Sequence, residues 1–352
     1  MAYNQVGTSR MYVSILQWLK SLGSLEISTD YTDFDTFDGD PMSLIDVVPS
    51  SMVNFSNAGV VASDQPRTVV QYEATNLEFS KIMPKDNNFT MVLGHNFTPQ
   101  SDGGYVNSWA MQYIPYTNSP LVAQNLAQNG VNYSNYISEY LGYSVGFGLD
   151  NAHDVDTNII GLNLYDIIHD APLTISSVLY GSYWEAPHSP DLSLSISYET
   201  GTKTIETRGG HSLSNTMWRP PMWGDLGAWE LSDPANPTTG QNLAHSSRRI
   251  WSLAFSYMDK TDTFPKYNAL NRYANTEDLS DNDLLVTNNE TLLDSDDFFS
   301  RVWNVVGTHS SFIFQPDNTI PEFAIAKFTK PISFQQQLPG LYRISLEIRE
   351  VW

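Results

Sequence analysis

The chain has 352 residues and no cysteine, and its 39 acidic residues against 18 basic ones give a formal net charge of -21. The missing cysteines exclude a disulfide framework and a thiolate metal site. Because binding to phosphates needs basic side chains, the acidic excess predicts a protein that does not bind nucleic acid.

The start of the sequence has no visible targeting segment. Met1 to Gln5 lack the basic region and apolar run of a signal peptide. The longest apolar stretches are a handful of residues, too short to cross a membrane. We therefore expect a protein that is made in the cytoplasm and has no membrane partner.

The N-terminal half of the sequence indicates its secondary structure only weakly. Met11 to Leu22 suits either a strand or a helix, and residues 31–150 are rich in Asn, Asp and Gly. Clear strand patterns begin only after about residue 172. This shift in composition predicts three parts, namely an N-terminal segment 1–29, a β-domain 30–190 and a second β-domain 191–352.

Strict alternation of apolar and polar residues appears in the second half. It runs through Leu192 to Tyr198, Trp251 to Tyr257 and Tyr342 to Ile348. A period of two predicts strands of antiparallel sheets with one buried face. In the last strand, the residues expected to face the core are Tyr342, Ile344, Leu346 and Ile348.

Shorter signals lie between these strands. Phe312 to Phe314 and Phe323 to Phe328 are further strand candidates, and Tyr198 to Lys203 predicts a hairpin turn around Gly201. Gly209-Gly210-His211-Ser212 also favours a turn or a β-bulge. It has none of the G-x-S-x-G pattern of a hydrolase nucleophile.

One helix is predicted near residues 296–306. Acidic residues in its first turn suit the helix dipole, and Gly307 is a natural end. Phe298, Val302 and Val306 recur on one face, which predicts that this face is buried.

The sequence predicts no catalytic, cofactor or metal site. The seven histidines form no H-x-x-H or H-E-x-x-H pattern. Asp33, Asp35, Asp38 and Asp40 resemble the start of a calcium loop, but Leu44 stands where the bidentate glutamate is required. A solvated acidic loop is the favoured interpretation. A pair of glycosidase carboxylates on facing strands stays an open alternative.

Aromatic residues mark a candidate glycan-binding or subunit-contact surface. Tyr183 and Trp184 lie upstream of a Pro- and Gly-rich stretch that contains Trp218, Trp223 and Trp229. Their faces suit stacking on sugar rings, but Trp is also enriched in cores and at interfaces. The core or subunit-contact interpretation is favoured.

The first resemblance to a known family lies in the N-terminal half. Asn88 to Phe97, N-F-T-M-V-L-G-H-N-F, is similar to the strand and turn of galactose-binding-like jelly rolls in phage tail proteins. Those modules end in a strand that resembles Ile175 to Trp184, followed by Pro190-Asp191-Leu192.

The C-terminal third carries a second resemblance. Arg248 to Tyr257, the helix at 296–306, Phe312 to Pro316 and Tyr342 to Glu350 follow in that order. This order is similar to virion structural proteins of marine tailed phages and cyanophages. It also resembles the β-domain of distal tail proteins, which form rings at the end of the tail tube.

Patterning and resemblance together imply an all-β fold, with two β-sandwich or jelly-roll-like domains and one short helix near 296–306. The resemblance implies a structural, non-enzymatic tail or baseplate subunit that is assembled in the host cytoplasm and located in the virion. Its implied partners are further copies in a hexameric ring, other tail proteins and a host surface glycan. A glycan-binding or glycan-cleaving host-recognition protein and a capsid decoration or fibre-hub protein are the alternatives.

Overall fold

A computed structural model of the chain shows an all-β fold, as the alternation predicts. It describes residues 6–28, 36–48, 51–56, 67–75, 79–82, 87–95, 108–113, 124–128, 137–140, 143–147, 158–165, 173–216, 222–223, 226–227, 247–265, 296–319 and 323–351. The helices in these ranges are short: α1 Ile15–Ser21, a 3-10 helix Pro41–Ile45, α2 Phe79–Ile82, α3 Lys260–Thr263, a π-helical turn Phe299–Trp303 and α4 Asn304–Val306.

Strands make up most of the described chain. In chain order they are β1 Arg10–Ser14, β2 Leu25–Ser28, β3 Thr36–Asp38, β4 Val53–Ser56, β5 Arg67–Ala74, β6 Asn88–Leu93, β7 Ser108–Tyr113, β8 Gln124–Gln128, β9 Ile137–Tyr140, β10 Tyr143–Phe147, β11 Ile159–Tyr165, β12 Leu173–Ile175, β13 Ser177–Glu185, β14 Ser195–Glu199, β15 Thr202–Glu206, β16 Ser212–Thr216, β17 Met222–Trp223, β18 Leu226–Gly227, β19 Arg248–Asp259, β20 Phe312–Gln315, β21 Ala324–Phe328, β22 Ser333–Leu338 and β23 Leu341–Glu350.

These strands form antiparallel sheets. The largest has the order β14-β19-β23-β21-β20-β1-β13-β6-β10-β9, with β22 also paired to β23. A second sheet has the order β2-β5-β11-β7-β8, and a third has β12-β4-β3. The pairs β15-β16 and β17-β18 form two small sheets of their own.

The strand β1 joins the two halves of the large sheet. On one edge it pairs with β13, where Ser14 lies opposite Gly181, and on the other with β20, where Tyr12 lies opposite Ile313. The stretch Met11 to Leu22 is thus strand first and helix second, since α1 begins at Ile15. The three predicted parts of the chain contribute to one continuous sheet.

The strongest strand signals lie in the core of this sheet. β19 and β23 place Trp251 opposite Ile348, Leu253 opposite Leu346 and Phe255 opposite Ile344. In β23, the apolar side chains that are buried on this face are Tyr342, Ile344, Leu346 and Ile348. The shorter candidates also form strands, namely β20 and β21.

The predicted alternation of β19 fails at its end. The register with β23 shifts between Phe255 and Met258, and Tyr257 has a φ of +62°. A β-bulge of this kind adds residues to one strand and reverses the faces of those that follow. Tyr257 is therefore exposed and Met258 is buried in the core, so the prediction of a buried Tyr257 was wrong.

Leu192 to Tyr198 does not form the half-buried strand that was predicted. Leu192 is 95% exposed, and Ile196 and Tyr198 are exposed as well. The strand β14 begins only at Ser195 and lies at an end of the large sheet, where β19 is its only neighbour in the described chain. The alternation correctly separates the apolar face from the polar face, but the prediction that the apolar face is buried was wrong.

The helix near 296–306 is confirmed, with a local change in winding. Phe298, Val302 and Val306 are buried on one face. Asp297 accepts a hydrogen bond from the Ser300 backbone N at 2.8 Å, which caps the first turn. The chain passes from the π-helical turn into α4 and leaves it at Gly307, whose φ is +53°.

Candidate interaction surface

The candidate site is an exposed edge of the large sheet together with the hairpin that follows it. β14 pairs with β19 through Ser195 opposite Ser252 and Tyr198 opposite Arg249. Its other edge has no strand beside it in the described part of the chain. Such an edge offers backbone N–H and C=O groups to a strand from another molecule.

The chain leaves β14 and enters a projecting hairpin, which we call the β-arm (residues 200–216). Its joint is Gly201, whose φ of +58° favours glycine. The hairpin consists of β15 and β16, which pair with each other rather than with β14. The chain does turn at Gly201, as predicted. The prediction that the strands on either side of this turn pair in a hairpin was wrong, because β14 does not pair with β15.

The tip of the β-arm is a tight turn, as predicted for its glycine pair. The Thr207 backbone N donates to the His211 carbonyl at 2.9 Å, and the Gly210 N donates to the Thr207 carbonyl at 2.9 Å. Gly210 has a φ of +80°. Every residue from 202 to 214 is exposed, so this hairpin gains little from burial.

The two faces of the β-arm differ in chemistry. Ile205 lies opposite Leu213 and the two are 55% and 61% exposed. Because side chains alternate along a strand, Lys203 shares this apolar face. The opposite face carries Thr204 and Glu206 with Ser212 and Ser214 across from them. One face is thus apolar and cationic, and the other is hydroxylated and anionic.

Cations also gather on the outer face of the sheet beside β14. The Arg349 Nε donates to Glu199 at 2.7 Å. Burial, and next the neighbouring Arg349, lower the pKa of the Arg248 guanidinium, while Glu199 and Glu350 oppose this shift. Lys327 lies opposite Arg349 in the register of β21 and β23. Arg349 is thus paired with Glu199 and has two further cations near it, Arg248 and Lys327.

A groove of about 370 Å³ lies on the same outer face. Serines and one ion pair dominate its lining, namely Ser193, Ser252, Ser333, Ser345, Lys330 and Glu347. Among the described residues of the lining, Glu347 is the single carboxylate, and it is paired with Lys330. The groove therefore does not supply the carboxylate pair that glycoside hydrolysis requires.

Of the aromatic candidates, the structure describes the side chains of Tyr183 and Trp184, and both pack against neighbouring residues. Trp184 is 3% exposed, and its ring centroid lies 5.0 Å from that of Phe298. Tyr183, its neighbour on β13, packs on the Tyr12 ring at 5.2 Å and lies under the Arg10 guanidinium. Trp184 is a core residue and offers no face to a sugar. Trp223 lies in β17, and the remaining two, Trp218 and Trp229, lie outside the described residues.

The predicted acidic loop is described in part. Asp33 and Asp35 lie outside the described residues, and Asp38 ends β3. Asp40 accepts a hydrogen bond from the Met42 backbone N at 2.9 Å and caps the 3-10 helix. Among the residues that the structure describes, no group of three or more His, Asp or Glu side chains is placed to hold a metal ion.

A polar cluster that the sequence analysis missed fixes the centre of the large sheet. Glu185 accepts hydrogen bonds from Thr8 Oγ1 at 2.6 Å, Arg10 Nε at 2.7 Å and Asn318 Nδ2 at 2.9 Å. It therefore ties β13 to β1 and to the segment after β20. No pattern in the sequence signals these contacts, because their members are more than a hundred residues apart.

This cluster makes the stability of the protein depend on pH. Burial raises the pKa of Glu185, but the hydrogen bonds from Thr8 and Arg10 outweigh it and hold the pKa below the ordinary value of 4.5. A lowered pKa contributes stability that is present above the unfolded-state pKa and is lost as the pH falls through the folded-state pKa. Between about pH 6 and pH 3 the wild type should lose more unfolding free energy than Glu185→Gln.

Urea denaturation at the two pH values measures this difference. Glu206→Gln, on the exposed β-arm, is the matched control and should keep the wild-type dependence on pH. Equal losses for the wild type and Glu185→Gln would contradict the role of Glu185.

The described helices are short, and none meets the length and hydropathy that crossing a bilayer requires. No family model matches the chain, and no curated protein matches it.

Proposed function

We propose that the protein is a structural subunit of a bacteriophage tail or baseplate and that it assembles with further copies of itself. The observation that carries self-assembly is the exposed edge of β14 with the apolar face of the β-arm. An uncovered strand edge and an adjacent pair of exposed apolar side chains, Ile205 and Leu213, suit a contact with another molecule. The phage assignment is supported by the sequence motifs described above.

The arrangement of those motifs supports the same assignment. The two stretches that resemble the jelly roll of tail proteins form β6 and β13, which are paired with Asn88 opposite Ser182. The stretches that resemble virion proteins of marine phages form β19, β20 and β23, which belong to the same sheet. Segments far apart in sequence are thus neighbours in space, as a module with these signatures requires.

Native mass spectrometry and negative-stain electron microscopy of the purified full chain test the proposal. We expect a homo-oligomer, with sixfold rings as the form that matches the distal tail proteins it resembles. Head-to-tail contacts between copies of a subunit close into a ring when the rotation between copies allows it. A chain that stays monomeric at every protein concentration tested would contradict the proposed function.

A further inference from the structure

We propose that the β-arm (residues 200–216) is the element that holds neighbouring copies of this chain together. In this arrangement the face formed by Lys203, Ile205 and Leu213 lies on the acidic surface of the next copy. The inference rests on the proposed function, because it presupposes that the chain assembles with itself.

The first argument is the stability of the β-arm. A two-stranded hairpin on its own is marginally stable in water. Residues 202 to 214 are all exposed, and the apolar pair Ile205 and Leu213 faces solvent. Sheets normally bury one face on a core. Among the residues that the structure describes, none covers this face of the β-arm, so a second molecule would stabilise it.

The second argument is charge. Copies of a chain with a net charge of -21 repel one another. The β-arm is an exception, because Lys203 and Arg208 outnumber Glu206. Glu206 also points to the face opposite Ile205 and Leu213. The face to be covered is therefore apolar with a cation at its edge, and a carboxylate-rich copy of the same chain complements it.

The third argument is the position of the β-arm. It continues from β14 at an end of the large sheet and is joined to it through Gly201. A projection from one end that contacts the body of the next copy gives a heterologous contact, in which two different surfaces meet. Contacts of this type close into rings when the rotation between copies allows it.

Two matched double variants test the apolar contact. Ile205→Ser with Leu213→Ser removes the apolar pair, and Thr204→Ala with Ser214→Ala changes the opposite face of the same hairpin. Because core anchors dominate interface energies, the first should weaken assembly by roughly tenfold or more. The control should assemble like the wild type. Sedimentation velocity over a range of protein concentrations measures both.

A second pair of variants tests the charge. Lys203→Glu places a carboxylate on the contact face and should weaken assembly, whereas Glu206→Lys makes the opposite change on the other face and should not. All of these side chains are exposed, so the variants should unfold at the wild-type temperature. Thermal unfolding by circular dichroism checks that a loss of assembly is not a loss of folding.

The outcomes separate this inference from the proposed function. Assembly of the wild type that is lost in the Ile205 and Leu213 variant, and kept in the Thr204 and Ser214 control, supports both. Assembly that survives both double variants overturns the role of the β-arm and leaves the proposed function standing. A monomeric wild type overturns both.

Discussion

Replacing Glu350 with alanine should lower the free energy of unfolding by about 3–5 kcal/mol, the cost of removing one partner from a buried ion pair. Glu350 is fully buried and accepts hydrogen bonds from the Arg249 backbone N at 2.7 Å and from its Nη2 at 3.0 Å. Without the carboxylate, the buried Arg249 guanidinium loses its charge-assisted hydrogen bonds to Glu350.

The matched control lies three residues earlier on the same strand. Glu347 is paired with Lys330 at the surface, so Glu347→Ala should change stability by less than about 1 kcal/mol. Urea denaturation of both variants gives the comparison. A loss in Glu350→Ala as small as that in Glu347→Ala would show that the buried pair does not hold β19 and β23 together.

A double replacement of Arg249 and Glu350 refines this result. Apolar residues of similar volume often substitute for a buried pair at little cost. Arg249→Met with Glu350→Leu should therefore recover much of the stability that Glu350→Ala loses. Failure to recover it would assign the loss to packing rather than to the loss of the ion pair.

Gly181→Ala should destabilise the protein by about 3 kcal/mol or more, at or above the upper end of overpacking costs. A Cβ at this position of β13 would lie 1.9 Å from the carbonyl oxygen of Val13 in β1. Both groups belong to the backbone of paired strands, so neither can move without breaking the pairing of β1 with β13.

Gly209→Ala is the control for this substitution. A Cβ there would meet no atom closer than 3.8 Å, and the residue lies in the exposed turn of the β-arm. Its stability should equal that of the wild type within about 0.5 kcal/mol. The midpoints of thermal unfolding of the two variants measure this difference. Equal midpoints would contradict the close approach of β1 and β13.

The sequence predicted the core strands of the large sheet because their alternation is long and regular. Leu346 and Phe255 follow a period of two and are buried. Counting in steps of two from Leu346 leads to Glu350, and counting back from Phe255 leads to Arg249. Both residues therefore lie on the buried faces of their strands, and the buried ion pair could have been predicted from these positions. Charge alone hides it, since charged residues are ordinarily assigned to the surface.

Other features could not be predicted for a physical reason. Leu192 to Tyr198 alternates as regularly as β23, but a period of two defines two faces and does not say whether another layer covers either of them. The exposure of Ile196 follows from the place of β14 at the end of the sheet. That place is set by pairing with β19, across about fifty residues of sequence.

The β-arm was not among the surfaces that the sequence predicted. The predicted glycan-binding or subunit-contact surface consists of aromatic residues, and one of them, Trp184, is buried. The sequence of the β-arm gives only a weak indication of a strand, because Thr202 to Glu206 contains one strongly apolar residue, Ile205. A residue type that is ordinary in a strand becomes informative only when the structure shows it uncovered.

The central place of β1 sets the order in which the chain can fold during translation. Tyr12 donates its hydroxyl hydrogen to Gln315 Oε1 at 2.6 Å across 303 residues of sequence. A ribosome adds about 5–20 residues per second, so β1 would wait about 15–60 s for β20 to emerge. During that interval, the edge of β1 that later pairs with β20 has unpaired backbone groups that a strand of another chain can bind. In a nascent chain with this topology, that edge of β1 therefore stays uncovered until β20 has been made.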